Sequence, residues 1–263
     1  FGALIYGIDG FARHESPLAI AGEIGLSLVC GTIFVRRQKR LDAPMLAVDL
    51  FEKPVFALAS ITSTLTYTAQ GLAFVSLPFF FQSALGHTPF QSGLLLTSWP
   101  LAVAIAAPFA GRLSDRYSAG ILSTAGLGVM AIGLALYAAL PAHPSWIEIV
   151  LHGTICGIGF GFFQAPNNRE LIGSAPRSKT GSAAGVLAAV RLTGQTLGAA
   201  LVAIVFGTIG AAVALGSEHI ENVVRVATPL TLWIACGCAA LGTLVSGMRL
   251  FARRASRTAE ATS

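Results

Sequence analysis

The sequence predicts an all-α polytopic membrane protein, and three observations carry that expectation. Of its 263 residues 54% are hydrophobic and only 11% charged, with a mean hydropathy of +0.72, whereas soluble proteins carry about 25% charged residues. The few charges cluster between long uncharged runs, the pattern of membrane spans joined by loops. The 29 glycines and 16 phenylalanines suit helices packed in lipid, where small residues let backbones approach. These features argue against a soluble enzyme, a secreted disulfide scaffold and a disordered tail. Cys30, Cys156, Cys236 and Cys238 all fall in apolar runs, read as small buried hydrophobes; no metal-ligand spacing is present.

The elements follow in order. Residues 1–8 are apolar but would rise only about 12 Å as a helix, too short for a bilayer core of about 30 Å. They read as the outer end of a span that begins earlier, which makes the chain the C-terminal part of a longer protein. A signal peptide is not indicated, because a basic n-region and a cleavage site are lacking. Pro17 to Val35 is interrupted only by Glu23, and residues 54–111 contain no charge. That run suits two spans broken at Gly86-His87-Thr88-Pro89. Residues 117–147 are again uncharged and turn at Pro141-Ala142-His143-Pro144. Residues 149–168 precede a polar stretch, Arg169–Gly181; then come 182–210, broken only by Arg191, and Pro229–Met248. Seven complete spans are expected, near 17–35, 54–82, 90–111, 118–140, 146–166, 182–210 and 228–248.

Orientation follows from the basic residues. Fourteen of the 17 Lys and Arg, from Arg36 through Lys53, Arg112, Arg116, Arg169, Arg177, Lys179 and Arg249 to Arg257, fall in one set of loops. Only Arg13 and Arg225 fall in the other. The first set is therefore expected in the cytoplasm, with the C-terminus, in an inner (plasma) membrane. Topology thus accounts for the net charge of +5, and no nucleic-acid partner is needed. His14, His87, His143, His152 and His219 map to the outer side; they read as ordinary polar loop residues, with an external pH sensor as the sharper alternative.

The loop Gly111-Arg112-Leu113-Ser114-Asp115-Arg116-Tyr117 joins two spans. Glycine, aspartate and two arginines there allow a tight turn and charge pairing across helix ends. Asp115 can form a latch with a neighbouring helix that breaks during conformational change. The plainer reading is a short solvated loop with a positive-inside bias.

The stretch Leu77–Tyr117, LPFFFQSALGHTPFQSGLLLTSWPLAVAIAAPFAGRLSDRY, resembles the major facilitator superfamily, particularly its fourteen-helix drug:proton antiporters. GRLSDR resembles the second-half copy of that superfamily's G-x-L-(A/S)-D-R loop. Ala165–Leu201, APNNRELIGSAPRSKTGSAAGVLAAVRLTGQTLGAAL, resembles the segment before and within the penultimate helix of the quaternary-ammonium and methyl-viologen efflux proteins. The resemblance implies that 54–250 is a C-terminal six-helix bundle and that 1–35 belongs to the central hairpin. Residues 36–53 would be a basic cytoplasmic linker and 251–263 a cytoplasmic tail. It further implies an N-terminal bundle outside this chain, supplying the other half of the substrate cavity. Gly111, Arg112, Asp115 and Arg116 then become the conformational latch.

Physical reasoning leads to compatible expectations. Six spans after residue 53 can form a three-plus-three inverted repeat. Gly153, Gly157 and Gly161 give one helix a smooth face, and Gly181/Gly185 and Gly194/Gly198 offer similar contacts. Pro100 and Pro108 should kink or loosen one span. Gly157-x-Gly159-x-Gly161 is not a nucleotide loop, since it lies inside an apolar span without a preceding strand.

Polar groups at mid-membrane depth mark candidate sites, because exposing them to lipid is costly. Arg191 lies about 15 Å beyond Gly181, and Gln195 shares its face one turn on. Tyr67 and Gln70 share another face at similar depth, as does Trp99 on its own span. Phe74 and Phe79–Phe81 add aromatic surface, and Gln164, Asn167 and Asn168 lie nearer the cytoplasmic mouth. Together these residues suit a flat lipophilic cation held by stacking and cation–π contact. Each also has an ordinary reading: aromatics pack cores and amides join helices.

Arg191 would repel a cation unless an acid pairs with it. The sequence places no Asp or Glu deep in the six-helix region, so a proton-coupling carboxylate is expected from the N-terminal bundle, with Glu23 as the alternative. Glu23, about 9 Å from the outer end of its span, reads as an interfacial residue. The leading expectation is a proton-driven multidrug exporter of lipophilic or quaternary cations, working by alternating access and needing no cofactor but the proton gradient. Its rivals are a facilitator of organic anions or neutral solutes, which Arg191 favours, and a non-transporting membrane scaffold. No H-E-x-x-H, paired intramembrane carboxylates or G-x-S-x-G elbow is present, which argues against an enzyme.

Overall fold

In the computed structural model of the protein, the residues described are 48–214 and 220–261, with isolated helical positions at 25, 29, 30, 32, 33, 36 and 37; side chains of 212–219 and beyond 249 fall outside the description. The expected 1–8 segment, most of the 17–35 span and Glu23 therefore lie outside the described residues. From residue 54 onward six α-helices follow one another: α1 Pro54–Phe79, α2 Pro89–Leu113, α3 Ala119–Ala138, α4 Trp146–Gly173, α5 Thr180–Ala214 and α6 Ile220–Ala261. No strand occurs among the described residues.

Most helix starts carry a local signal. Pro54 and Pro89 occupy first-turn positions, where the missing N–H costs nothing. Thr88 and Gln91 cap each other reciprocally, as do Ser145 and Glu148. The Ser118 hydroxyl accepts from the Ile121 N–H. At the end of α1, Pro78 cannot continue the i→i−4 ladder, and a π-helical turn, Phe80–Ala84, follows. Gly86 closes that turn at φ 71°, a conformation that favours glycine.

Three expected boundaries shift. Helix α4 runs to Gly173 and α6 begins at Ile220 and continues to Ala261. Polar residues expected in loops, including Arg169, Glu170 and Arg225, therefore project from helices.

Five segments, Pro89–Leu113, Ala119–Ala138, Trp146–Gly173, Arg177–Ala211 and Ile220–Arg249, are long and apolar enough to cross a membrane. Their outward faces expose large hydrophobes such as Leu94, Ile105, Ile132, Leu151, Trp233 and Leu244, the reverse of a soluble surface. Helix α1 differs because it is rich in Ser and Thr. Its hydroxyls bond backward to its own carbonyls, Ser60 to Phe56, Thr66 to Thr62 and Ser76 to Leu72 at 2.7–2.9 Å. Satisfied in this way, they tolerate the interior of the bundle, where α1 packs between α5 and α6.

The helices form two interlocking triplets. Helix α2 packs on α4 as α5 packs on α1, α3 packs on α4 as α6 packs on α1, and α3 meets α6. Exchanging the first three helices for the last three thus preserves the packing pattern, as a three-plus-three repeat requires.

Glycine sets the closest crossings. Gly157 and Gly161 of α4 lie against the α2 backbone, and Gly159 lies against α3. A Cβ on Gly198 would stand 2.6 Å from the Thr68 carbonyl oxygen and 2.7 Å from the Leu72 nitrogen of α1. Gly181 and Gly185, expected to make similar contacts, are instead exposed, and a Cβ on Gly181 meets nothing within 4 Å. Gly198→Val is therefore expected to destabilise by roughly 1–3 kcal/mol, since backbone must move. Gly181→Ala should leave thermal melting in detergent unchanged or slightly raised; equal melting of the two variants would contradict this crossing.

The 3-10 turn Val48–Glu52 closes one end of the bundle. Leu50 packs with Phe56, Ala59, Leu171, Ala183 and Val186, and Asp49 forms an ion pair with Lys179. The Lys179 hydrogen bond holds the Asp49 carboxyl below its ordinary pKa. This contact contributes at neutral pH and is lost only as pH falls through the lowered value.

Candidate substrate cavity

A cavity of about 430 Å³ lies between α1, α2, α4 and α5, within the usual size for a small-molecule site. Helix α1 lines it with Gln70, Gly71, Phe74 and Val75, α2 with Trp99, Pro100 and Val103. Helix α4 contributes Phe160 and Gln164, α5 contributes Arg191 and Gln195.

The walls are aromatic. Phe74 and Trp99 meet edge to face at 5.2 Å between centroids, and Tyr67 meets Phe160 at 5.7 Å. Amides tie opposite helices together: Gln195 Nε2 donates to Gln70 Oε1 at 3.5 Å, and Gln164 Nε2 to the Tyr67 hydroxyl at 3.3 Å. The Arg191 guanidinium carbon sits 5.7 Å from the Tyr67 ring centroid. Arg191 is exposed, about 16 Å along α5 from its start by helical rise.

Five of the seven residues expected at a cavity, Gln70, Trp99, Gln164, Arg191 and Gln195, therefore line one. Tyr67 is buried beside it, reaching it through Gln164 and Arg191. Asn167 does not line it. One turn beyond Gln164, it is fully buried where α4 closes on α1 and α6. Phe79–Phe81 are also elsewhere: Phe79 packs on Phe206, and Phe81 is in the core. They lie past the cavity, at the junction with the π-helical turn. Phe160 and Val103 were not singled out from the sequence, because apolar residues inside a span carry no depth or face signal of their own.

At the basic end, Arg169 Nη1 meets Asp115 Oδ1 at 2.5 Å and donates to Ser114 Oγ at 3.0 Å. The loop after α2 is thereby joined to the end of α4. Gly111 is not the turn residue expected; it lies within α2, and residues after Leu113 make the turn. Arg112 and Arg116 are exposed and form no ion pair among the described residues.

Deeper at this end lies a polar network built on Glu170 and Arg249, both of which the sequence places in cytoplasmic loops. Arg249 is 0% exposed and pairs with Glu170 at 3.4 Å. Its guanidinium also donates to Asn167 Oδ1 at 2.7 Å and Ser246 Oγ at 2.8 Å. Asn167 Nδ2 donates to Ser63 Oγ, and the Thr124 hydroxyl to Ser246, at 2.7 and 2.8 Å. Helices α1, α3, α4 and α6 are thus joined around one buried guanidinium. The paired spacings Asn167-x-x-Glu170 and Ser246-x-x-Arg249, each one helical turn, were the available signal.

At the opposite end, Arg225 pairs with Glu221 at 2.9 Å. It also donates to the Ala84 carbonyl at 2.7 Å and the Ala142 carbonyl at 3.3 Å, tying α6 to the π-helical turn and the α3–α4 loop. His87 packs against Trp146 across this end.

Membrane-length helices in two matching triplets, four of them enclosing an aromatic, amide-lined cavity, define a multi-pass membrane protein. The signature of the Major Facilitator Superfamily matches residues 59–262, and the chain belongs to that superfamily of transporters. It is 44% identical over 250 residues to the uncharacterized transporter YebQ of Escherichia coli (strain K12), covering 95% of this chain and 52% of that one. It is 28% identical over 174 residues to the riboflavin transporter RibZ of Clostridioides difficile (strain 630), covering 66% and 38%. To the multidrug resistance protein Stp of Mycobacterium tuberculosis it is 29% identical over 202 residues, covering 76% and 37%. The chain spans about half the length of YebQ and less of the other two.

Proposed function

We propose that this chain is the C-terminal half of a proton-coupled exporter of flat aromatic compounds, working by alternating access in the plasma membrane. The observation that carries the reading is the cavity itself. Four helices bring Phe74, Trp99 and Phe160 together with three glutamines and Arg191 around about 430 Å³. Such walls stack a planar solute, and the amides orient it. The name of Stp, a multidrug resistance protein, supports a drug-like substrate.

In this reading an N-terminal bundle faces the cavity and completes it, and the two bundles rock about the bound solute. The basic end faces the cytoplasm, by the distribution of Lys and Arg. Asp115 and Arg169 form a contact there that breaks as the bundles move. The proton-titrating carboxylate comes from the N-terminal bundle. A lipophilic cation is carried only if that bundle also sets an acid opposite Arg191. The test is flux in proteoliposomes of the full-length protein with an imposed pH gradient, using a panel of aromatic dyes that includes ethidium. Gradient-dependent movement of at least one dye is expected; no gradient-driven flux of any would overturn the reading.

A further inference from the structure

We infer that the cavity prefers flat aromatic solutes bearing an anionic or strongly accepting edge, and that Arg191 is the group that binds that edge. The inference rests on the reading of the cavity as a transport site and names its substrate class.

Among the described residues, Arg191 is the only ionisable one lining the cavity. A guanidinium at this depth is costly to leave facing lipid, so it belongs to a water-filled cavity or a ligand. The Tyr67 ring holds its carbon at 5.7 Å, yet ring contact leaves its N–H donors available to an acceptor.

The acids among the described residues are placed elsewhere. Asp49 pairs with Lys179, Asp115 with Arg169, Glu170 with Arg249 and Glu221 with Arg225. Glu148 caps α4 through Ser145, and Glu52 is exposed ahead of α1. Among the described residues none forms an ion pair with Arg191.

A second feature has the same sense. Trp99 is among the wall residues, and its buried Nε1–H has no acceptor among the described residues. A solute carbonyl, carboxylate or phenolate supplies acceptors to such donors, and the carboxylate or phenolate also supplies the missing charge. A quaternary ammonium group supplies neither and meets a like charge. Aromatic walls bind the body of either solute, so the edge decides between them.

Two xanthene dyes separate body from edge: fluorescein is anionic and rhodamine 123 cationic on the same ring system. Binding to the detergent-solubilised full-length protein is measured by fluorescence anisotropy, with export followed in proteoliposomes. Fluorescein is expected to bind at least about tenfold more tightly, the worth of one charge-assisted hydrogen bond. Arg191→Gln should remove that preference, Arg191→Lys should keep part of it, and Trp99→Phe should weaken fluorescein several-fold. Because Arg191 is exposed, the two Arg191 changes should leave melting temperature unaltered, whereas Trp99 is buried and its variant is read only on protein that remains folded. Equal or tighter binding of rhodamine 123, with Arg191→Gln leaving fluorescein unaffected, overturns the inference while leaving an aromatic exporter in place. Binding of neither dye overturns the inference, and the exporter reading falls with it only if no dye of the wider panel moves with the gradient.

Discussion

Glu170→Ala or Arg249→Ala is expected to remove most of the folded protein from detergent extracts. Each change deprives a buried charge of its ionic partner. The side chains are 2% and 0% exposed respectively, so water cannot readily replace what is lost. Breaking a pair of this kind typically costs about 3–5 kcal/mol, a large share of the stability of an ordinary domain. Arg249 also orders Asn167 and Ser246, which reach Ser63 and Thr124. Its loss should therefore affect contacts between four helices. The double variant Glu170→Gln, Arg249→Met should be less damaging than either single alanine, because no buried charge remains. Monodispersity and melting temperature by fluorescence-detected size exclusion check both statements. Single variants that melt like the parent would mean the pair is solvated in the intact protein.

The Asp115–Arg169 pair should behave in the opposite way, with little effect on stability and a measurable one on transport. Both side chains are 62% exposed, and exposed pairs contribute about 0–1 kcal/mol. A contact made in only one of two conformations still biases their populations, and about 1 kcal/mol shifts them roughly fivefold. Asp115→Arg or Arg169→Asp alone should therefore change the transport rate several-fold at unchanged melting temperature. The exchange of both charges should restore much of it. Transport unaltered in either single variant would reduce the pair to surface decoration.

The contrast between these two sites explains what the sequence made legible. Gly153, Gly157 and Gly161 announce a packing face because their spacing matches the helix, and the structure places that face on α2. Arg191 and Gln195 announce themselves as polar residues inside an apolar run, and both line the cavity. Glu170 and Arg249 carry no such contrast. Each sits at the end of an apolar run among other polar residues, where a loop is the natural expectation. Only the extension of α4 and α6 past their hydrophobic segments buries them, and that depends on packing between helices distant in sequence. Asn167 was misplaced for the same reason: depth along a helix is legible, but which neighbour closes over it is not. Helix α1 shows the converse, since its Ser and Thr hydroxyls satisfy themselves within the helix and so suit an interior position that hydropathy alone would not assign.

Val103 tests the central claim, that the space between α1, α2, α4 and α5 is the path of the transported solute. It is a half-buried cavity residue of α2, away from the buried ion pair, and its backbone carbonyl rather than its side chain faces Gly161. Val103→Trp would fill a substantial part of the cavity. The decisive measurement is gradient-driven dye export by the full-length variant in proteoliposomes, alongside its melting temperature. Export should be lost while the protein remains folded. A folded Val103→Trp protein that exports at the parental rate would contradict the assignment of this cavity.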